Sequence, residues 1–438
     1  MNEIGGRRGL AGNSGCRGVA GSSEYCSVAG SSECRIVWPE AAGAAVVRLS
    51  RKVLFFSYEN RRSKSAGGRM MGMIRNSLPG EDGFRMPGEF EPQDRIWMIW
   101  PERPDNWRKH ALPAQKAYVD VAKAIAAFEP VCMLASVDQM RKAENAFDDV
   151  PGVEVLEMAS DDAWIRDTGP SFLVNDRGEL RACDWRFNAY GGDVDGLYKP
   201  WDQDDALAGK ICDMLGIDRY RSDFILEGGS FHTDGEGTIL TTEMCLLSQG
   251  RNPGLTKEQI GQRLCDYLGA KKVIWLPDGI DPEETNGHVD DVACFIRPGE
   301  VACIREENPA SPFFGASEKA FQILEQSQDA RGRRLKVHPV CCPRYPVRYP
   351  ADYAVESTGL AIPRIPRELC AASYLNFLIV NGGVIVPQYD DPNDEIALRQ
   401  IAAMFPDRKT VGVRTREIVY GGGNIHCITQ QQPRINRV

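Results

Sequence analysis

The sequence predicts an α/β fold in which similar strand–helix modules follow one another around a closed ring. Strand and helix patterns alternate from about residue 84 onward. Short loops rich in Gly, Asp, His or Trp also recur at intervals of 57 to 77 residues, at Trp100, Asp167, Glu227, His288, a point near Tyr345, and Gly422. A recurring unit of this length is typical of repeat architectures, and a ring would bring distant loops to one central pocket. Chance spacing in an ordinary α/β protein is the alternative.

The first elements follow from the local pattern. Residues 95–100 (Arg-Ile-Trp-Met-Ile-Trp) predict a strand that runs into a proline-led loop. Residues 110–128 predict a helix that ends before Pro130, because one face carries the apolar side chains Tyr118, Val119, Ala122, Ile125 and Ala126. Residues 131–134 and 153–158 predict two further strands, and the second of them leads to the loop at 164–170. Strand–helix–strand alternation of this kind is the module that the spacing predicts.

Composition limits the class of protein. The chain has 438 residues, 42% of them hydrophobic, which is enough to bury a large core. It has no run of about 18 apolar residues, so no membrane span is predicted. Its fourteen cysteines are irregularly spaced and form no Cys-x-x-Cys pair. This pattern argues against a zinc ribbon or a secreted disulfide framework and favours a reducing, cytoplasmic location.

The N-terminal region differs from the rest of the chain. Residues 1–72 contain 11 basic and 5 acidic residues, whereas the remainder contains 41 basic and 56 acidic residues, a net charge of −15. The region is rich in Gly and Ser, and it repeats Val-Ala-Gly-Ser-Ser-Glu at 19–24 and 28–33. We consider a transit peptide, a disordered tail, or sequence upstream of a true start at Met70, Met71 or Met73, and we favour the last. The predicted domains are therefore an extension, 1–83, and a single catalytic domain, 84–438.

Four short runs carry the chemistry. Cys427 follows the glycine loop Gly421–Gly423, and the other runs supply Asp167, Glu227 and the pair His288 and Asp290. One thiol, one imidazole and three carboxylates suit covalent attack on a guanidinium. Asp167 and Asp290 would bind its nitrogens by charge-assisted hydrogen bonds, and Cys427 would add to its carbon once ionised. His288 would move protons, and Glu227 would hold His288 and favour its charged form; no metal or other cofactor is required.

Each assignment has a structural alternative. Cys427 could be a buried structural thiol, and Arg166 could form a loop ion pair with Asp167. His288, Asp290 and Asp291 could be half of a metal site, although the five histidines form no second cluster. His426 would point away from Cys427 on a strand, which favours a supporting role. No Gly-x-Gly-x-x-Gly or P-loop opens a helix, so no nucleotide cofactor is predicted.

The motifs together resemble the agmatine deiminase branch of the peptidyl-arginine-deiminase-like, guanidino-modifying (pentein) superfamily. Besides the loops of Asp167, Glu227 and His288, the similar stretches are 86–92 (Met-Pro-Gly-Glu-Phe-Glu-Pro), 100–108, 251–253 and 422–433. The resemblance implies a five-bladed α/β propeller of ββαβ-type modules around a central pocket. It implies Cys427 as nucleophile, His288 as acid/base, and Asp167, Asp290 and Glu227 in the roles given above. The family reaction converts agmatine and water to N-carbamoylputrescine and ammonia, a step towards putrescine.

Recognition of the substrate tail is the more open question. We expect Trp100, Glu102, Trp164 and Gly423 to contribute further substrate contacts, since a second cation favours acids and aromatic rings. Residues 340–353 are expected to form a lid, in which Arg344 and Arg348 would disfavour agmatine if they faced inward. A peptidyl-arginine deiminase acting on arginine residues is therefore the alternative function. A ribosome-binding anti-association factor with this ring fold is disfavoured by Cys427 and His288, and the acidic body disfavours nucleic acid as a partner. A homodimer is expected.

Overall fold

A computed structural model of the chain describes residues 72–281 and 283–435. In this part of the chain sixteen strands form five separate sheets. In chain order the strands are β1 (Gln93–Ile99), β2 (Val131–Ala135), β3 (Val153–Glu157), β4 (Ser171–Val174), β5 (Leu180–Arg186), β6 (Arg219–Ile225), β7 (Phe231–Thr233), β8 (Thr238–Thr242), β9 (Lys272–Leu276), β10 (Ala293–Arg297), β11 (Glu300–Arg305), β12 (Lys336–Cys341), β13 (Leu378–Val380), β14 (Gly383–Gln388), β15 (Lys409–Arg414) and β16 (Gln430–Pro433).

Helices lie between the strands and on the outside of the modules. They are α1 (Leu112–Ala126), α2 (Met140–Phe147), α3 (Ile165–Thr168), α4 (Gly192–Asp195), α5 (Asp202–Asp205), α6 (Leu207–Leu215), α7 (Glu243–Leu246), α8 (Lys257–Leu268), α9 (Phe314–Gln326), α10 (Asp394–Met404) and α11 (Arg416–Val419). Two short 3₁₀ turns, Gly228–Ser230 and Val289–Asp291, precede β7 and β10. The strands predicted near residues 95, 131 and 153 and the helix predicted over 110–128 are thus confirmed within a few residues.

Four of the sheets repeat one ββαβ order. In the sheet β7–β8–β9, β7 pairs antiparallel with β8, and β8 pairs parallel with β9 after a crossover through α8. The same arrangement recurs in β4–β5–β6, β10–β11–β12 and β13–β14–β15. A parallel neighbour requires such a crossover, and a helix is its usual form. The α/β propeller of repeated ββαβ modules that the sequence predicts is therefore confirmed.

The fifth sheet joins the two ends of the folded chain. Its order is β16–β1–β2–β3, with β16 antiparallel to β1 and the other pairs parallel. The register places Gln93 opposite Pro433 and Trp97 opposite Gln430, and the indole N–H of Trp97 donates to Gln432 Oε1 at 3.1 Å. The last strand thus completes the first sheet, which also carries β3 as a fourth strand that the simple repeat does not predict.

One loop per sheet leads into the first strand of that sheet. These loops carry Asp167 before β4, Glu227 before β7, His288 and Asp290 before β10, Asn376 before β13 and Cys427 before β16. They contact one another: Gly229 N–H donates to Asp167 Oδ1 at 2.9 Å, and Arg166 N–H donates to the Cys427 carbonyl at 3.2 Å. The ring therefore collects five distant segments at one centre.

Two predicted landmarks do not belong to this series. Tyr345 is 63% exposed and lies in the long connection between β12 and β13, where the loop of Asn376 takes the expected place. Trp100 follows β1, which is the second strand of its sheet and not the first. The regular spacing thus located the modules but misidentified two of the loops.

Burial of α1 follows its apolar pattern. Tyr118, Ala122 and Ile125 are fully buried in the cluster that also contains β1 and β2, whereas Val119 and Ala126 are half-buried. Eleven cysteines lie in the described part of the chain; all are free thiols, and nine are buried. This agrees with the interpretation of most thiols as small core residues. Among the described helices, none has the length and apolar character needed to cross a membrane.

The folded domain begins before the predicted boundary at residue 84. Ile74 pairs with Arg219 at the start of β6, and Arg75 forms an ion pair with Asp218. Asp82 accepts hydrogen bonds from Arg181 and from the Tyr220 hydroxyl, both at 2.7 Å. The segment 73–83 thus packs against β5 and β6, while the predictions for residues 1–71 lie outside the described residues.

Truncation tests this boundary. A chain that begins at Met73 should keep the Tm and activity of the full chain, because every contact named above is retained. A chain that begins at Phe84 after an initiator Met should melt lower by roughly 2–5 °C, since it loses one bridge and several partly buried polar contacts. Calorimetry of the three proteins measures the difference, and equal Tm values for the two truncated chains would contradict the assigned boundary.

Candidate active site

A cavity of about 520 Å³ opens among the loops of the ring. Cys427, Asp167 and Trp164 line it, so three residues that the sequence singled out meet in one place. The lining contains seven carboxylates but only two guanidinium groups; they belong to Asp105, Asp162, Asp167, Asp281, Glu283, Glu284 and Glu368, and to Arg103 and Arg364. An acidic wall of this kind attracts cations.

Cys427 is held by Asn376. The thiol Sγ is 3.2 Å from Asn376 Nδ2, and Asn376 Oδ1 accepts from the backbone N–H groups of His426 and Cys427 at 2.9 and 3.3 Å. The glycine loop leaves room for this thiol: a Cβ at Gly423 would lie 3.0 Å from Sγ and 2.7 Å from the ring of Trp164. Gly423 therefore allows the close approach of Cys427 and Trp164 and does not itself line the cavity.

The thiol lies in acidic surroundings. Its Sγ is 3.8 Å from Asp290 Oδ2. Burial, followed by the charges of Asp290, Asp291 and Asp167, raises the pKa of Cys427 well above its usual range. At neutral pH the free protein therefore holds Cys427 as a neutral thiol.

Asp167, His288 and Glu227 form a buried row. His288 Nδ1 is 3.8 Å from Asp167 Oδ1, and His288 Nε2 is 3.8 Å from Glu227 Oε2. Burial opposes the charged imidazole, but Asp167 and then Cys245 and Glu227 outweigh it and raise the pKa of His288 well above its usual range. The neighbouring carboxylates thus favour the imidazolium form of His288, which can donate a proton.

Two further side chains fix the ends of this row. The Tyr190 hydroxyl donates to Asp167 Oδ2 at 2.9 Å, and Arg251, fully buried, donates from Nε to Glu227 Oε1 at 3.0 Å. Burial and the neighbouring Asp290 raise the pKa of Asp167 although His288 opposes this. Arg251 and His288 lower the pKa of Glu227 in spite of its burial.

Asp290 has a different environment. Its Oδ2 accepts from His426 Nδ1 at 2.8 Å, and the other ring nitrogen of His426 is 2.8 Å from Glu89 Oε2. Although burial opposes ionisation, the hydrogen bond and charge of His426 lower the pKa of Asp290. The two carboxylates predicted to hold the guanidinium are thus both next to the site but differ in proton affinity.

Two triads of described side chains could hold a metal ion, and protein contacts already occupy part of each. Glu227, Cys245 and His288 have side-chain donors within 4.8 Å of one another, as do Glu89, His232 and His426. Arg251 already balances Glu227, and both ring nitrogens of His426 face carboxylates. The alternative set His288, Asp290 and Asp291 does not converge either, since Asp290 binds His426 and Asp291 Oδ1 accepts from Asn376 at 3.1 Å.

Two predicted substrate contacts lie elsewhere. Trp100 is 3% exposed and packs edge-on against Phe147, with ring centroids 5.9 Å apart. Glu102 accepts from the Ser136 hydroxyl at 2.9 Å. Neither lines the cavity, because both follow β1, the second strand of its sheet, and face β2 and α2. Trp164 does line it, and its indole N–H donates to Asp162 at 3.0 Å.

The expected lid is also placed differently. Arg344 and Arg348 are exposed and do not line the cavity, although Tyr349 does. Residues 361–365 form part of the wall instead and bring Arg364 into it. Arg364 is ion-paired with Glu284, and it donates to Asn106 Oδ1 at 2.7 Å and to the Tyr349 hydroxyl at 2.9 Å.

Known proteins match most of the chain. The sequence profile of the Porphyromonas-type peptidyl-arginine deiminase family matches residues 85–433. A curated relative from Enterococcus faecalis is 60% identical over 362 residues, 82% of this chain and 99% of that protein. The agmatine deiminase of Pseudomonas aeruginosa is 50% identical over 360 residues, 82% of this chain and 97% of that protein. A solved structure of agmatine deiminase from E. faecalis superposes with a TM-score of 0.82 at 59% identity, covering 84% of this chain and all of that one.

The raised pKa of Cys427 predicts how the rate of its alkylation depends on pH. A thiol with a raised pKa becomes a thiolate only at higher pH, so alkylation of Cys427 by neutral iodoacetamide should be slow at pH 7 and still rise through pH 9. Site-resolved mass spectrometry separates Cys427 from the other thiols, with half-buried Cys265 as the internal comparison. A rate that levels off below pH 7 would contradict the assigned electrostatics.

Gly229 tests how closely the charged groups meet. A Cβ at this position would lie 2.6 Å from His288 Nδ1 and 3.0 Å from both Asp167 Oδ1 and Asp290 Oδ2. Gly229→Ala should therefore reduce kcat/KM at least about a hundredfold, while overpacking by one methyl, at about 1–3 kcal/mol, leaves the protein folded. Gly254→Ala is the matched control, because a Cβ there has nothing within 4 Å. Near-normal activity of Gly229→Ala would show that the three side chains do not act together.

Proposed function

The chain belongs to the Porphyromonas-type peptidyl-arginine deiminase family, and from this we propose that it hydrolyses agmatine to N-carbamoylputrescine and ammonia. The relatives at 50–60% identity over most of the chain support agmatine deiminase over the peptidyl-arginine alternative. The acidic lining of the cavity supports it too, because agmatine carries a second cation and no carboxylate. We also predict that the product is a precursor of putrescine, that the protein is cytoplasmic, and that it is a homodimer.

One observation carries the mechanism: a buried thiol, two carboxylates and an imidazole surround one point. Cys427 Sγ is 3.8 Å from Asp290, and a single methyl at Gly229 would touch Asp290, Asp167 and His288. A guanidinium held between Asp167 and Asp290 would offset the negative charge that opposes ionisation of Cys427. The substrate itself thus favours the thiolate that attacks it.

When the guanidinium binds, Cys427 releases its thiol proton to solvent. Its Sγ then forms a bond to the guanidinium carbon, the bond from that carbon to one terminal nitrogen breaks, and His288 donates the proton with which ammonia leaves. The protein then carries a thiouronium on Cys427. Neutral His288 accepts a proton from a water, whose oxygen bonds to the same carbon. Cleavage of the C–S bond releases the carbamoyl product, and the proton of the added hydroxyl group returns Cys427 to the thiol. Glu227 and Arg251 keep His288 oriented.

Ammonia release on agmatine, free arginine and a peptide ending in arginine tests the substrate. Agmatine should be preferred by at least about a hundredfold in kcat/KM, or roughly 3 kcal/mol, because a carboxylate or peptide would lie unpaired against an acidic wall. Comparable rates on arginine or the peptide would overturn the assignment of agmatine while leaving the thiol chemistry intact.

The same assay tests the nucleophile. Cys427→Ser should be inactive and folded, whereas Cys265→Ser, a change at a half-buried thiol away from the cavity, should remain active. Acid quench of wild type during turnover should give a mass increase on the peptide that contains Cys427. Turnover by Cys427→Ser would exclude the covalent route.

A further inference from the structure

A line of three ionisable side chains lies next to the thiol. Glu89 comes from the segment before β1, His426 precedes Cys427, and Asp290 lies in the turn before β10. All three are at least 96% buried. His426 joins the other two, with Nε2 2.8 Å from Glu89 Oε2 and Nδ1 2.8 Å from Asp290 Oδ2. Three separate parts of the ring thus meet at one imidazole.

This geometry fixes the protonation of His426. An ionised carboxylate can only accept, so an imidazole between two of them must donate from both nitrogens and is an imidazolium. Glu89 is ionised: its Oε1 accepts from Ile379 N–H at 2.8 Å, and although burial opposes ionisation, His426 and Arg166 lower its pKa to about 2. His426 likewise keeps a raised pKa, against burial and Arg166, because Glu89 and Asp290 face it.

The other groups near His426 agree with this assignment. His232 stacks 6.1 Å away between ring centroids; its Nδ1 accepts from Phe295 N–H at 3.2 Å, and burial lowers its pKa to about 4, so it is neutral. Arg166 donates from Nε to the His426 carbonyl at 3.2 Å. The imidazolium of His426 and the guanidinium of Arg166 thus balance the charges of Glu89 and Asp290.

The consequence concerns Asp290. His426 occupies its Oδ2, whereas its Oδ1 is buried and has no hydrogen-bond partner within the described ranges. A buried acceptor without a partner is costly unless a ligand satisfies it. Oδ1 is therefore the oxygen of Asp290 that remains free to accept from an N–H donor.

We propose that Glu89 is a positioning residue: by holding His426 as a buried imidazolium, it fixes the carboxylate of Asp290 in the orientation and charge state that receive the guanidinium. Glu89 contacts neither the thiol nor the cavity and acts through His426. The inference rests on the proposed function for the identity of the ligand, but not for the arrangement of the three side chains.

Glu89→Gln isolates the charge. The amide oxygen can still accept from Ile379 N–H, but its NH₂ faces His426 Nε2, which must then accept. His426 becomes the neutral Nδ1–H tautomer, so its hydrogen bond to Asp290 survives without the positive charge. Asp290 then holds its proton up to a higher pH. We expect kcat/KM for agmatine to fall at least about tenfold at pH 7, with the acidic limb of its pH profile moved to higher pH and the deficit narrowing towards pH 9.

The matched control is Glu91→Gln in the same segment. Glu91 pairs with Arg85 at 2.7 Å and accepts from Gly88 N–H at 2.9 Å, so this change disturbs the segment without touching His426. It should leave the pH profile unchanged. A loss in Glu89→Gln that is equal at every pH, or an unshifted acidic limb, would overturn the positioning role.

A second measurement does not need turnover. Alkylation of Cys427 by the cation chloroacetamidine, compared with neutral chloroacetamide, reports whether Asp290 receives a planar cation beside the thiol. Wild type should favour the cation, and Glu89→Gln should lose most of that preference near pH 7. If wild type does not hydrolyse agmatine, the proposed function fails, but the ratio of the two alkylation rates still tests the role of Glu89. The same ratio in Glu89→Gln as in wild type would overturn the inference.

Wild type alone decides the question if Glu89→Gln does not fold. Imidazole ¹⁵N spectra, with the His426 signals assigned by their loss in His426→Gln, should show both ring nitrogens protonated at pH 8. A neutral His426 ring at that pH would overturn the inference.

Discussion

In the proposed mechanism the thiol of Cys427 must ionise, yet it lies among carboxylates that oppose its ionisation, and the rest of the site can be understood from that constraint. Burial and the charges of Asp290, Asp291 and Asp167 raise the pKa of Cys427. A guanidinium between Asp167 and Asp290 would offset this negative charge at the place where the thiolate forms. In the proposed mechanism, this arrangement keeps the thiol of Cys427 neutral until a planar cation binds beside it. A neutral electrophile of similar size gains no such assistance.

The ring makes this concentration of charge possible. Three of the buried carboxylates are paired with a cation from another part of the chain: Glu227 with Arg251, and Glu89 and Asp290 with His426. Removing one partner from a buried pair costs several kcal/mol, about 3–5, so each pair ties one loop firmly to the next. Pairing of β16 with β1 brings the Cys427 loop beside α3, where Arg166 and Asp167 lie. Fold closure and catalytic geometry thus depend on the same contacts.

The sequence was sufficient to predict those site residues that lie in short, recognisable motifs. Cys427 after a glycine loop, and His288 and Asp290 in one short run, were recognisable because the chemistry needs those residue types close together. Asn376 and Tyr190 had no such signature: each acts through a long-range contact, with Cys427 and Asp167, that no spacing encodes. Trp100 was misassigned for the converse reason. In the sequence, an aromatic residue at the end of a strand is a reasonable candidate for a pocket wall. Trp100 instead packs in the core, because strand pairing makes β1 the second strand of its sheet, and this pairing cannot be predicted from the local sequence.

The arginine side chains of the cavity wall are already paired, so they cannot bind a carboxylate on the tail of a substrate. Free arginine differs from agmatine by a carboxylate, and a guanidinium in the cavity wall could receive it. Arg364 lies in that wall, but its charge is matched by Glu284, and its N–H groups are committed to Asn106 and Tyr349. Arg103 is paired in the same way with Asp105, at 2.6 Å. With both guanidinium groups engaged, the charge left in the lining is negative, as in Asp281 and Glu283. A carboxylate entering the cavity would therefore meet repulsion without a compensating partner, whereas an ammonium group would be attracted.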